Sequence, residues 1–213
     1  MSVPSADAAQ PAPGGGVSVP SAGAAQPAPG GGVSTAVAGS RTGALEPAAA
    51  EPGGLASTPL ERLREAGWEL PPLPTPKGLY VPARRHGDLL HLSAHGPFGP
   101  DGEFTHRGVV GEELTLEEGR AAAAATVLSL LASAAGALGG LSAISSTLRM
   151  TGYVNAAAGF EDHAKVLDGA SEVLDAAFGP DARPARSVVG VASLPFGLPI
   201  VIEATFVIGA DDG

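Results

Sequence analysis

Arg186-Ser-Val-Val-Gly-Val-Ala-Ser-Leu194, Pro195-Phe-Gly-Leu198 and Pro199-Ile-Val-Ile-Glu-Ala-Thr-Phe-Val-Ile208 together form the stretch on which the fold turns. Two runs rich in β-branched residues flank a linker containing proline and glycine, the pattern of an antiparallel hairpin. Side chains alternate faces along a strand, so Ile200, Ile202, Ala204, Phe206 and Ile208 form one apolar face, and Val201, Glu203, Thr205 and Val207 the other. Glu203 is a lone carboxylate on a core strand, and Arg186 opens the partner strand as its only charge. If Leu194 and Pro199 close a four-residue loop, Gly190 lies opposite Glu203, leaves open space above it, and Arg186 shares that face. Arg186 then sits four positions from Gly190, about 13 Å along the strand. That separation is too long for both charges of one chain to hold a small ligand, whereas a second copy can bring its Arg186 to this chain's Glu203. The alternative is a pair of solvated structural charges.

Outside this stretch, composition narrows the function classes. The 213 residues suit one domain with an appendage. No cysteine is present, which excludes disulfides, thiolate metal sites and a cysteine nucleophile. The formal net charge is −10, and residues 59–213 hold 11 of the 12 basic and 19 of the 22 acidic side chains. An acidic domain whose one basic cluster is Arg84-Arg85 is a poor partner for nucleic acid. The first basic residue is Arg41, so no secretory leader is expected and the default compartment is the cytoplasm. Residues 121–144 carry no charge and are long enough to span a bilayer. Their alanine richness, serines and the Gly139-Gly140 break favour a buried or subunit-packed helix, and no membrane partner is expected.

In chain order, Ser2–Val17 recurs as Ser18–Val33 with only Asp7 changed to Gly23, and residues 1–57 read as a disordered Pro/Ala/Gly tail ahead of a domain at 58–213. Thr58-Pro59-Leu60-Glu61 is a capping box that opens a short helix over Leu60–Ala66. Gly78–His86 and Asp88–His95 read as strands, with His91, Ser93 and His95 on one face. Glu103–Val110 is a short extended piece. Two histidines four strand positions apart cannot share a metal, and no nucleophile-elbow pattern supports a serine triad. Thr115 and Glu118 form a second capping box for a helix ending at Gly139-Gly140. Ile144–Val154 reads as a strand with Leu148, Met150, Gly152 and Val154 alternating against Thr147, Arg149, Thr151 and Tyr153. A helix over about Phe160–Ala177 places Ala164, Leu167, Val173, Leu174 and Phe178 on its apolar stripe. The order predicts an α+β fold, a mixed sheet with two helices on one face, and self-association as the economical cover for the other face.

Ala185-Arg186-Ser187, the valine-rich run, Leu194-Pro195 and Ile202-Glu203-Ala204 resemble the C-terminal signature of the Rid (YjgF) family of reactive intermediate deaminases, also labelled L-PSP endoribonucleases. Gly78-Leu79-Tyr80-Val81, Leu92-Ser93-Ala94-His95-Gly96-Pro97 and Lys165-Val166-Leu167-Asp168-Gly169-Ala170 extend the resemblance over Leu60–Ile208. It implies a homotrimer of the chorismate-mutase-like fold with sites between subunits. It also implies hydrolysis of enamines and imines of amino-acid metabolism to 2-oxo acids and ammonia, without metal or organic cofactor. Arg186 would anchor the substrate carboxylate and Glu203 would handle the proton of the attacking water. Tyr80, Ser93, Ala94 and Asp168 would line the substrate. Three departures stand out: Ala94 replaces a usual glycine, Asp168 a usual asparagine, and Val188 a frequent cysteine. The alternative is a non-catalytic trimer of the same fold that binds small carboxylates or acts as a regulator. Chorismate-mutase activity would want more cationic groups, and the endoribonuclease label fits poorly with the charge.

Overall fold

A computed structural model describes residues 57–209. The tail repeat, and the disordered reading of its residues up to 56, lie outside the described residues. Helix α1 (Pro59–Glu65) starts on the expected box: Thr58 Oγ1 accepts from the Glu61 amide, and Glu61 reaches back to the Thr58 amide. Arg62 then donates from Nε to the Ala177 carbonyl at 2.8 Å, tying this helix to the end of α3 (His163–Phe178). Helix α2 (Leu116–Leu138) carries the second box on Thr115 and Glu118, and ends where Gly139 turns left-handed at φ 76°.

Five strands form one sheet in the order β1-β2-β5-β3-β4, with β1 Ala83–His86, β2 Leu89–His95, β3 Ile144–Asn155, β4 Ala185–Val191 and β5 Ile200–Ile208. All neighbours are antiparallel except β3 and β4, which run parallel and are joined through α3. Helices α2 and α3 cover one face, so the architecture is the expected α+β mixed sheet. The charge-free stretch of α2 is explained by this packing. Ala122, Ala123, Val127, Leu130, Leu131 and Ala134 are buried in the core shared with β2, β5 and α3.

The expected hairpin does not form. β3 lies between β4 and β5, pairing Met150 with Arg186 on one side and with Ala204 on the other. Residues 192–199, including a 3-10 turn at Pro195–Gly197, carry the chain across β3 instead of folding back beside β4. Gly190 therefore pairs with Val154, not Glu203. A Cβ at Gly190 would run into the His163 imidazole, so no open space lies above it.

Other expectations change at irregularities. Only Ala83–His86 of the first predicted strand is extended in the sheet, and the 103–110 segment makes isolated bridges through Phe104 and Val110 instead of a strand. A bulge separates Leu92, paired with Ala204, from His95, paired with Ile202. It reverses the alternation, so His95 leaves the face of His91 and turns into the core. There Nδ1–H donates to the Ser93 carbonyl at 2.6 Å, which leaves Nε2 to accept from the Ser133 hydroxyl at 2.7 Å. A second irregularity between Thr147 and Arg149 buries Thr147 and exposes Leu148, the reverse of the simple alternation. On α3, Val166 joins the buried stripe while Ala164 is exposed.

Helices α2 and α3 pass in close contact at Gly169, where a Cβ would overlap the Arg120 backbone carbonyl. Alanine ordinarily favours a helix interior over glycine by about 1 kcal/mol, so the glycine here answers to packing. Gly169→Ala is expected to lower Tm by roughly 5–10 °C, the size that 1–3 kcal/mol of overpacking produces in a domain this large. A Tm at or above that of the parent chain would refute the close crossing. Burial also holds the His95 imidazole below its ordinary value of 6.5. Its folded pKa is depressed, so its neutral form contributes stability above pH 6.5 that is lost as pH falls from there through the lower folded value. His95→Gln is expected to flatten that acid limb in urea titrations at pH 5 and pH 7.

Candidate functional site

Parity in the sheet decides where each candidate group points. Leu92, Ala204, Met150 and Arg186 form one row across β2, β5, β3 and β4 and face the helices. Glu203, Thr151 and Ser187 form the next row and face the other way. Arg186 and Glu203 are thus only two strand spacings apart, about 10 Å between backbones, yet on opposite faces of one sheet. The expected shared face is corrected, and the reason is the inserted strand β3.

On the open face, Glu203 is half-buried, and its Oε1 accepts from the Tyr153 hydroxyl at 3.2 Å. The Glu203 charge pushes the Tyr153 phenol above its ordinary pKa, helped by burial and by this hydrogen bond; Arg149 acts weakly in the opposite sense. A shallow cleft of about 230 Å³ beside Glu203 is lined by His91, Arg149, Thr151 and Thr205. The β2 bulge sets two residues, Ser93 and Ala94, against the single residue Glu203. Ser93 spends its hydroxyl proton on the Val81 carbonyl at 2.8 Å, leaving oxygen lone pairs as its remaining capacity. Its amide also donates to Pro82, so this serine fastens the segment that carries Tyr80.

Tyr80 is 48% exposed and, with Ala94 and Val201, lines a second cleft of about 370 Å³. Pro74, Phe98, Phe104, Phe196 and Leu198 supply apolar wall. Phe196 holds φ at +61°, the one non-glycine residue with positive φ among the described residues. Arg107 secures it, donating to the Phe196 carbonyl while its guanidinium lies 5.3 Å from the Phe104 ring centroid.

At the opposite edge, β4 presents Arg186 to α3. Its Nη2 meets Asp168 Oδ1 at 2.6 Å and its Nη1 donates to Ser171 Oγ at 2.8 Å. Asp168 and Ser171 are three apart on one helix, so they meet the guanidinium side by side. A cleft of about 440 Å³ opens there, also lined by Glu172, Asp175 and Arg183. Of the sequence-predicted residues, one chain therefore gathers Ser93, Ala94 and Glu203 at the bulge, with Tyr80 adjoining, and joins Arg186 to Asp168 elsewhere. Sequence reasoning missed Tyr153, Ser171 and the apolar cleft. The i,i+3 spacing of Asp168 and Ser171 was a readable signal; the contact of Tyr153 with Glu203 depends on the β3–β5 register. Among the described residues no group of three or more histidines or carboxylates converges as a metal site.

With this geometry in hand, relatives are informative. Residues 60–203 match the family described as "YjgF/chorismate mutase-like, putative endoribonuclease". Protein TCP17 of Trypanosoma cruzi is 34% identical over 143 residues, 67% of this chain and 89% of its own. The crystal structure of Atu1372 from Agrobacterium tumefaciens superposes with a TM-score of 0.65 at 32% identity, covering 71% of this chain and 92% of that one. A Shewanella oneidensis MR-1 protein whose name carries the endoribonuclease label gives 0.68 at 31% identity, over 71% and 99%. The matched segment runs from Leu60 in α1 to Glu203 and contains the Thr115–Glu118 capping box, the bulge, Asp168 and Arg186, and on it the chain belongs to the YjgF/chorismate-mutase-like family.

Proposed function

We propose that this chain hydrolyses reactive 2-imino acids and enamines of amino-acid metabolism to 2-oxo acids and ammonia, at sites completed between the copies of a homotrimer. The observation that carries this reading is a pair of oriented, opposite charges that a single chain cannot use together. Arg186 is held at the sheet edge by Asp168 and Ser171, while Glu203 is held by Tyr153 on the face that the helices leave bare. The bare face also exposes Val189 and Leu148 at 47% and 51%, apolar area suited to a neighbouring copy. A second sheet edge docking there would bring an Arg186 towards a Glu203.

The residue types fit the reaction. Two of the five guanidinium N–H groups are spent on Asp168 and Ser171, which leaves three to grip a substrate carboxylate. Water adds to the imine carbon as Glu203 takes its proton and passes it to nitrogen. In the resulting carbinolamine the hydroxyl proton moves through Glu203 to the nitrogen as the C–N bond breaks, so the carbonyl forms and ammonia leaves. Tyr153 keeps the Glu203 carboxylate aimed, and the iminium carbon is already electrophilic.

The contact of Asp168 with Arg186 favours a second reading, a trimer of this fold that binds small carboxylates without turnover, because the anchor already has a carboxylate. Hydrolysis of 2-iminobutanoate generated in situ separates the two. Arg186→Ala is expected to lower kcat/KM by about 10- to 100-fold, the worth of charge-assisted hydrogen bonds. Glu203→Gln, which preserves the Tyr153 contact, is expected to lower kcat by about 10²- to 10⁴-fold. Asp168→Asn is expected to lower KM a few-fold, a small effect because the pair is partly exposed. A full chain that leaves imine decay at its spontaneous rate, yet gains Tm with 2-oxobutanoate even as Glu203→Gln, is the non-catalytic binder. Sedimentation equilibrium showing a monomer at assay concentration rules out both.

A further inference from the structure

The apolar cleft beside the bulge has no task in the chemistry above, and its position gives it one. Val201 and Glu203 are two apart on β5 and share the open face, which sets them roughly 7 Å apart. Ala94, from the bulge opposite Glu203, and Tyr80 line the same cleft. The space therefore starts next to the proposed reacting carbon and runs away from it over Val201, towards Leu198, Phe98, Phe104 and Phe196. Its 370 Å³ falls in the lower range of small-molecule pockets and far exceeds what the ethyl group of 2-iminobutanoate fills.

The cleft is also built, not left over. Phe196 adopts a left-handed backbone conformation that is strained for a residue other than glycine. Three contacts hold it there: the Arg107 bond to its carbonyl, the Gly108 amide donating to Gly197 at 2.8 Å, and stacking on Phe104 at 5.5 Å. Yet the side chain so placed is 53% exposed, an aromatic ring presented to the cleft mouth instead of the core. A strained residue held so that its aromatic ring stays exposed fits a surface shaped for a ligand.

We infer that this cleft receives the side chain of the substrate, and that the chain prefers 2-imino acids with branched-aliphatic or aromatic side chains, such as the imines of leucine and phenylalanine, over 2-iminobutanoate. The inference rests on the imine-hydrolysis reading for its reaction but on the cleft for its specificity. The apolar wall holds an added hydrocarbon group, and each buried methylene is worth about 10-fold or more in kcat/KM. Phe196→Gly removes the wall at a position where glycine accepts φ +61° freely, so loss of the ring is not confounded by failure to fold.

The test uses the full chain and imines released in situ by an amino-acid oxidase from leucine, phenylalanine and 2-aminobutanoate, with imine decay and ammonia release followed. The expected result is a kcat/KM at least 10-fold higher for the leucine or phenylalanine imine than for 2-iminobutanoate, and a ratio that falls at least 5-fold in Phe196→Gly. Hydrolysis of 2-iminobutanoate as fast as, or faster than, both larger imines overturns the inference and leaves the imine reading standing, as does a ratio that Phe196→Gly does not change. If no imine is accelerated, the imine reading fails, and thermal shifts with the product acids decide the cleft. A larger shift with 4-methyl-2-oxopentanoate than with 2-oxobutanoate, lost in Phe196→Gly, sustains the pocket assignment; equal or absent shifts overturn it.

Discussion

The pairing of β3 with both β4 and β5 sets the faces on which the two candidate charges, Arg186 and Glu203, lie. A strand's side chains alternate, so the row to which a residue is hydrogen-bonded decides the face it serves. Met150 carries Arg186 and Ala204 to the helix side, and Thr151 carries Ser187 and Glu203 to the open side. A slip of one residue would exchange the two sets, bury Glu203 beneath the helices and expose Met150, so core packing and the placement of the charges are held by the same register. Fully burying side chains such as Met150, Ile202 and Phe206 contributes about 1.5–3 kcal/mol each. That apolar energy keeps the carboxylate on its face.

Departures from regularity cluster where chemistry is proposed. The β2 bulge faces Glu203, and the positive φ of Phe196 stands at the mouth of the cleft beside it. Each is over-determined by its surroundings: His95 is locked between Ser93 and Ser133, the Ser93 hydroxyl is bound to Val81, and Phe196 is tied down by Arg107. Regular strands and helices supply a rigid frame, and local strain shapes the surface on it.

Charge is arranged with similar economy. In a chain of net charge −10, the proposed anionic substrate needs a local cation, and Arg186 is the candidate for it at an exposed edge. Asp168 offsets that cation and, with Ser171, fixes the plane of the guanidinium. Asp168, which departs from the asparagine usual in the family, is thereby a partner of Arg186 in the fold. Its cost to the proposed substrate carboxylate is limited by solvent, because both side chains remain partly exposed.

Local signals in the sequence determined the helices, the five strands of the sheet and the fold class, but not that the extended 103–110 piece stays outside the sheet. Thr58-Glu61 and Thr115-Glu118 cap within four residues, Gly139 ends α2, and the strands announce themselves by β-branched content; each depends on neighbours in the chain. The family signature likewise marked Arg186, Glu203, Tyr80, Ser93, Ala94 and Asp168 as the residues to follow. Tertiary structure alone decided which of them meet. The apparent β4–β5 hairpin is divided by β3, a strand some thirty residues upstream, which pairs antiparallel with β5 and, through the α3 crossover, parallel with β4. No local pattern reveals such an insertion. The bulge at Ser93–Ala94, the contact of Tyr153 with Glu203 and the apolar cleft likewise arise between segments distant in sequence, where strand register and side-chain packing set positions that periodicity cannot express.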